Sequence, residues 1–271
     1  MTRWRAKGLE KLLQLFKGAY SRLSNDSLAD QGRKAALQKA GSNSYIISRE
    51  RIGEFSNSVR IAGYNFQYED TGLMWREQDE KSIIIFGKFV DSCNPNNTET
   101  EIADDLLGAE NLANLIERSK KLAGRFVIAY NSGEGLFIIP DATASIHVAY
   151  TVKGKDLYVS SNPNLISKIN GWKESPVSLI IKGSAAEMHP LPYDMTMYDE
   201  IKSVPPNCYL DTELRGVKRY YPLVKREPIP VDNAVRKSSK LLNNIITGYN
   251  SRYKLALALT SGVDSRTLLA V

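Results

Sequence analysis

The sequence of 271 residues has two cysteines and two histidines. That excludes a disulfide scaffold and leaves too few ligands for a Cys/His zinc centre. Long apolar runs are also missing. The longest, Ile83 to Phe86 and Phe137 to Pro140, fall well short of the ~20 residues a membrane-spanning helix needs, and there is no signal-peptide h-region. The expectation is a soluble protein of a reducing compartment, the cytoplasm. An overall basic body is missing too, although the net charge is +6. Residues 1–23 hold Arg3, Arg5, Lys7, Lys11, Lys17 and Arg22 against Glu10, a net +5, so the other 248 residues contribute +1. This distribution argues against nucleic acid as a partner.

What is present is ordinary globular composition, 42% hydrophobic and 24% charged, in a chain long enough for about two domains at ~150 residues each. Leu9, Leu12, Leu13, Phe16, Tyr20 and Leu23 recur at helical spacing within the basic segment. Residues 1–44 thus read as a basic amphipathic helix and a small, polar linker. The helix would dock on its own protein with a solvated basic face, or lie on an anionic membrane surface or a partner protein. From Tyr45 to about residue 200, short β-rich runs alternate with one stretch of helical spacing, Ile102 to Lys121. Asn131-Ser-Gly-Glu-Gly135 supplies a hairpin turn. The expected class is α+β with antiparallel sheets and helices. Residues 201–230, with their proline pairs, read as a connector. Residues 231–247 return to helical spacing. Leu255 to Leu259 read as a strand, Thr260 to Ser265 as a loop, and the residues after it as a helix start.

That loop carries the chemistry. Ser261 and Gly262 allow a tight turn with close backbone approach. The free N–H groups of the following helix, with the hydroxyls of Thr260, Ser261 and Ser265, suit phosphate or pyrophosphate. Asp264 beside an anion makes sense if it holds Mg²⁺. The simpler alternative is a capped helix, since Ser and Asp are good N-cap residues. No lysine follows the glycine, so the loop is not a Walker A motif.

Thr260-Ser-Gly-Val-Asp-Ser265 resembles the pyrophosphate loop of the N-type ATP pyrophosphatases. The upstream segments resemble one branch, the asparagine synthetase family. Leu122 to Tyr130 is similar to that family's Gly-x-Phe-Ala strand, and Ile139 to Tyr150 to its Arg-Asp segment. Tyr158 to Leu165 is similar to its Phe-Ala-Ser-Glu segment. Ile201 to Leu210 with Arg219-Tyr-Tyr-Pro222 is similar to its Leu-Pro-Pro-Gly connector. Asn207 stands where glycine is usual, and Asn tolerates left-handed φ best among other residues. The motifs come in family order over roughly residues 83–271.

The resemblance implies a glutaminase-like domain of the Ntn-hydrolase type over 45–200. It implies the start of an α/β ATP-pyrophosphatase (PP-loop) synthetase domain over 231–271. It further implies an ATP-dependent ligase that adenylates a small-molecule carboxylate for attack by ammonia or another amine. By position, Thr260, Ser261, Gly262, Val263, Asp264 and Ser265 would bind ATP pyrophosphate, with Asp264 on its Mg²⁺. The glutaminase half departs from the pattern. Thr2 replaces the N-terminal cysteine nucleophile. Phe86-Gly-Lys-Phe-Val-Asp91 replaces the Asn-Gly-Glu-x-Tyr-Asn loop that orients glutamine, and Pro140 replaces an arginine beside Asp141. Glutaminase activity is therefore expected to be lost, as in the degenerate domains of β-lactam synthetases and lasso-peptide cyclases. No catalytic residue is assigned. Cys93, Cys208, His147 and His189 read as structural.

Because a parallel sheet needs neighbours for its first strand, the sequence is expected to be a fragment without ligase activity of its own. The alternatives are a non-catalytic scaffold and an amidohydrolase using Thr2. A homodimer is compatible with every one of these readings. The docked-helix reading of residues 1–23 predicts that their deletion leaves sedimentation with anionic liposomes unchanged. A drop in sedimentation marks a membrane-surface helix instead.

Overall fold

The computed structural model describes residues 44–270 except 54, 70, 71, 155, 185–190 and 226. The readings of residues 1–43, Thr2 and His189 lie outside the described residues. The described residues belong to one compact unit, Gly41–Val271.

Two six-stranded sheets form its body, and every strand pair in them is antiparallel. The first sheet contains β1 (Tyr45–Ser48), β2 (Asn57–Ile61), β3 (Tyr64–Tyr68), β8 (Ala149–Thr151), β9 (Val159–Ser160) and β10 (Ile201–Ser203), in the order β10-β8-β9-β1-β3-β2. The second contains β4 (Leu73–Gln78), β5 (Lys81–Asp91), β6 (Leu122–Asn131), β7 (Leu136–Pro140), β11 (Cys208–Asp211) and β12 (Gly216–Arg219), in the order β12-β11-β7-β6-β5-β4. The helices are α1 (Glu99–Leu107), α2 (Leu112–Ser119), α3 (Pro163–Asn170), α4 (Pro176–Ser184), α5 (Val231–Asn250) and α6 (Val263–Leu269).

Strand periodicity explains the layering. Side chains alternate across a sheet, and β5 feeds two cores. Ile84 and Phe86 join Tyr45, Ile47 and Phe66 of the first sheet in the core between the sheets. Ile83, Ile85 and Phe89 face the opposite way, against Ile102 and Leu106 of α1 and Leu115 of α2. On the outer side of the first sheet, Ala149 and Ile201 pack on Ile166 of α3. The order of layers is therefore helix, sheet, sheet, helices. Phe86 links the two sheets through its ring contacts with Tyr45 at 5.5 Å and Phe66 at 5.7 Å. Among the described residues no helix is long and apolar enough to cross a membrane.

Four expectations change. First, the helical stretch Ile102 to Lys121 is two helices. Gly108 ends α1, and Asn111 caps α2 by accepting from Asn114 N–H at 3.0 Å. Thr98 and Glu101 form a capping box at the start of α1, a pattern visible in the sequence as Thr-x-x-Glu. Second, Val59 to Phe66 is a hairpin rather than one run. Ala62 and Gly63, at φ 48° and 77°, turn β2 into β3. Third, residues 201–219 are more than a connector, because β10 pairs with β8 and β11 with β7. Fourth, residues 255–259 form no strand. Extended backbone becomes a strand only by pairing with a neighbour, and no described segment pairs with it. Leu255 and Leu259 are 45% and 60% exposed. The Asn207 expectation holds, with φ 59° in the turn before β11.

Ten consecutive pairs join β5 to β6, from Ser82↔Asn131 to Asp91↔Leu122. Within them Gly87 and Gly124 sit at φ +114° and +143°, a backbone region that side chains rarely adopt. A Cβ on Gly87 would collide with the Arg125 carbonyl. One on Gly124 would collide with the Lys88 carbonyl and the Tyr249 hydroxyl. Gly171, at φ +69°, has open space around it. Gly124→Ala is expected to cost roughly 2–4 kcal/mol and Gly171→Ala about 1 kcal/mol. Urea unfolding of the two variants measures both, and equal losses would show that crowding at Gly124 is relieved.

Candidate functional site

The loop and α6 are built by a small hydroxyl network. Ser265, buried in the first turn of α6, is its hub. Its Oγ accepts from the Thr260 N–H at 3.1 Å and lies 3.0 Å from Thr260 Oγ1. Thr260 Oγ1 in turn accepts from the Gly262 N–H at 3.2 Å. These contacts bring Thr260, Gly262 and Ser265 together. Arg266 Nε donates to the Gly262 carbonyl at 3.2 Å, and Thr267 Oγ1 to the Val263 carbonyl at 2.9 Å.

Gly262 occupies the N-cap with extended backbone and no side-chain cap. The first-turn amides of a helix have no intrahelical acceptor, so those of Val263, Asp264 and Ser265 face outward without a side chain to satisfy them. The capped-helix alternative therefore does not describe this helix: Ser265 bonds backward into the loop, and Ser261 and Asp264 supply no cap. Both side chains are exposed and make no hydrogen bond or ion pair among the described residues. The Thr260 and Ser265 hydroxyls are already engaged, which reduces the expected anion nest to the first-turn amides and the Ser261 hydroxyl. Uncapped amides fit an oxyanion, and an adjacent exposed carboxylate fits a hard cation held by that anion's oxygens. Among the described residues no group of three or more His, Cys, Asp or Glu side chains could hold a metal ion.

Residues 86–91 are strand, not loop. Phe86 is fully buried, Lys88 points outward, and Asp91 is buried. The Asp91 carboxylate accepts from the Cys93 and Asn94 amides at 2.8 and 3.0 Å and lies 3.3 Å from Lys121 Nζ. Pro140 is buried at the end of β7. Asp141 accepts from the amides and hydroxyls of Thr143 and Ser145. Burial alone would raise its pKa, but these hydrogen bonds outweigh burial and hold it below the usual carboxylate value. This carboxylate is spent on its own turn. Cys208 is buried in the core between the sheets, and Cys93 is exposed.

His147 was read as structural, and its contacts are internal. Nε2 lies 2.6 Å from Ser203 Oγ, and the His147 carbonyl accepts from Tyr45 Oη at 3.1 Å. These bonds tie the approach to β8 to both β10 and β1.

No protein-family model matches the chain, and no curated protein matches it. Among solved structures it is similar to an allosteric regulatory enzyme of purine biosynthesis. The identity is 12% and the TM-score 0.42, over 70% of this chain and 46% of that one. It is also similar to glutamine phosphoribosylpyrophosphate amidotransferase from B. subtilis complexed with ADP and GMP. There the identity is 13% and the TM-score 0.41, over 71% of this chain and 46% of that one. The chain spans less than half the length of either.

Burial lowers the His147 pKa, with a hydrogen bond to the Ser161 backbone partly opposing it. The folded state thus favours neutral imidazole, whereas the unfolded chain takes up a proton near pH 6.5. Below that pH the unfolded state binds more protons. Stability therefore falls as pH drops through 6.5 and levels off below the folded pKa. The fall in Tm from about pH 7.5 to 5.5 is expected to be smaller in His147→Gln than in the parent. An identical fall in both would mean that the imidazole is protonated in the folded state.

Proposed function

We propose that this chain is part of an ATP-dependent amide-forming ligase resembling the asparagine synthetase family, with a glutaminase-like lobe that no longer hydrolyses glutamine. The observation that carries the proposal is the uncapped first turn of α6 beside exposed Ser261 and Asp264, in a loop whose sequence resembles a pyrophosphate loop. The order of the upstream motifs supports it, as does a body of two stacked antiparallel sheets.

On this reading the first-turn amides and the Ser261 hydroxyl bind the pyrophosphate of ATP, stabilising charge on the leaving group. Asp264 would hold Mg²⁺, which when bound offsets the phosphate charge. Thr260 and Ser265 shape the turn rather than touch the ligand, because their hydroxyls are committed to each other. The acid to be activated is a small-molecule carboxylate. The amine comes from solution or from the substrate itself, because a buried Phe86 and a buried Pro140 offer no hydrogen bonds to a glutamine head group. The same buried residues favour a second reading, a non-catalytic scaffold.

Titration calorimetry with Mg·pyrophosphate separates the two. On the ligase reading the chain binds, EDTA abolishes binding, and Asp264→Asn weakens it at least tenfold, while no ammonia is released from glutamine. An absence of binding favours the scaffold. Ammonia release would overturn the lost-glutaminase half of the proposal.

A further inference from the structure

The end of α5 and the turn after it are seated in a socket on the sandwich. Asn244 Nδ2 donates to the Ser92 carbonyl at 2.8 Å. Gly248 is buried so closely that a Cβ there would stand 3.2 Å from Val90 Cβ and 3.3 Å from the Pro95 carbonyl. Tyr249 Oη donates to the Lys88 carbonyl at 3.1 Å, with the Ala123 carbonyl at 3.4 Å, in the space that Gly124 leaves open. The Arg252 guanidinium bridges two carbonyls, Phe89 O at 2.9 Å and Asn97 O. Tyr253 Oη donates to Glu99 Oε1 at 2.9 Å, and Lys88 Nζ stands 4.9 Å from the centre of the Tyr253 ring.

Much of the receiving surface is the end of β5 and the start of β6, at Lys88, Phe89, Val90, Ala123 and Gly124. Lys88, Phe89 and Val90 fall within segment 86–91, which the sequence resemblance aligns with the loop that orients glutamine, and Ala123 and Gly124 within the strand it aligns with the family's Gly-x-Phe-Ala segment. We infer that this lobe is retained as a mount. Tyr249 and Arg252, seated at Gly124 and on the Phe89 and Asn97 carbonyls, are positioning residues that fix where the Thr260–Ser265 loop stands relative to the sandwich. The inference rests on the proposed reading for what the loop does, but not for where it stands.

The argument is one of tether length. Tyr253 is held to the sandwich by Glu99 and Lys88, and only Lys254–Leu259 separate it from the loop. Six extended residues reach at most ~20 Å. Freed at Tyr249, Arg252 and Tyr253, the tether would start instead from wherever α5 next holds, and the loop would sample a larger volume. The contacts of Asn244, Tyr249 and Arg252 are side chain to main chain, so they do not depend on which side chains line β5. They are specific in direction because a guanidinium presents its donors in a fixed fork.

The test is a pair of spin labels in the full chain with Cys93→Ser, one at Glu134→Cys on the β6–β7 turn and one at Leu269→Cys on α6. The parent is expected to give a narrow distance distribution by double electron–electron resonance. Tyr249→Phe, Arg252→Met and Tyr253→Ala together should at least double its width, and returning Arg252 and Tyr253 while keeping Tyr249→Phe should largely restore it. Amide exchange in β6 and β7 should stay within a factor of two of the parent, which a general loss of stability would not allow. Unchanged width, or width that grows only with faster exchange across β6 and β7, overturns the inference. Mg·pyrophosphate is titrated into the same samples. If the substitutions widen the distribution but the parent does not bind Mg·pyrophosphate, the ligase reading fails and the mount stands. If the parent binds it and the substitutions leave the width unchanged, the mount fails and the ligase reading stands.

Discussion

The antiparallel pairing of β5 with β6 is the constraint on which the other layers rest. It is the longest ladder among the described residues, ten pairs without a slip from Ser82 to Asp91. Because side chains alternate, a one-residue shift would send Ile84 and Phe86 out of the inter-sheet core and into the helical layer. The register is thus held from both sides, by aromatic contact of Phe86 with Tyr45 and Phe66 and by packing of Ile83, Ile85 and Phe89 on α1 and α2. Gly124 breaks the alternation of bulky side chains near one end of this ladder. There the backbone itself, rather than side chains, becomes the contact surface, and Tyr249 of α5 approaches it.

The fold class could be read from the sequence because antiparallel sheets with one buried face leave short alternating runs, and the turns carried their own chemistry. The Asn131 to Gly135 turn and the left-handed Asn207 are local requirements, visible in local sequence. What could not be read was pairing. β10, β11 and β12 are three or four residues long and sit in a proline-rich stretch, so they look like a connector. They become strands because β8 and β7 offer free edges far away in sequence. β4 escaped notice for the opposite reason. It is an edge strand with exposed Trp75, Glu77 and Gln78, and an edge strand needs no apolar pattern on its open side. Leu255 to Leu259 erred the other way, with a fully apolar pattern and no described partner.

The candidate site was partly legible. Its residue types follow from the six-residue pattern, but the pattern could not say which hydroxyls are free. Ser265 and Thr260 are consumed by each other, and Ser261 and Asp264 are not. A hydroxyl that already accepts from a backbone amide has less to offer an incoming anion, while the same bond fixes the turn in advance and lowers the entropic cost of binding. On the proposed reading the loop divides its six residues between those that shape the turn and those left to meet a ligand, and the six-residue pattern alone does not make that division.

On the proposed reading, the phenylalanine at position 86 bears on both halves of the chain. A polar side chain at position 86 would lie between Tyr45 and Phe66, where an amide without partners costs several kcal/mol, of order 2–7 on transfer scales. Phenylalanine there removes any means of holding a zwitterion and in return locks the two sheets together. The locked strand presents its Lys88 and Phe89 carbonyls in fixed positions, and fixed carbonyls are what Tyr249 and Arg252 require. On the proposed reading, the loss of glutamine chemistry and the gain of a rigid seat for α5 follow from the same substitution. A mobile, solvated ligand loop could not have offered its backbone as a stable acceptor. A buried strand can, and on the proposed reading only Lys254–Leu259 then separate the seat of Tyr253 from the loop that would hold pyrophosphate.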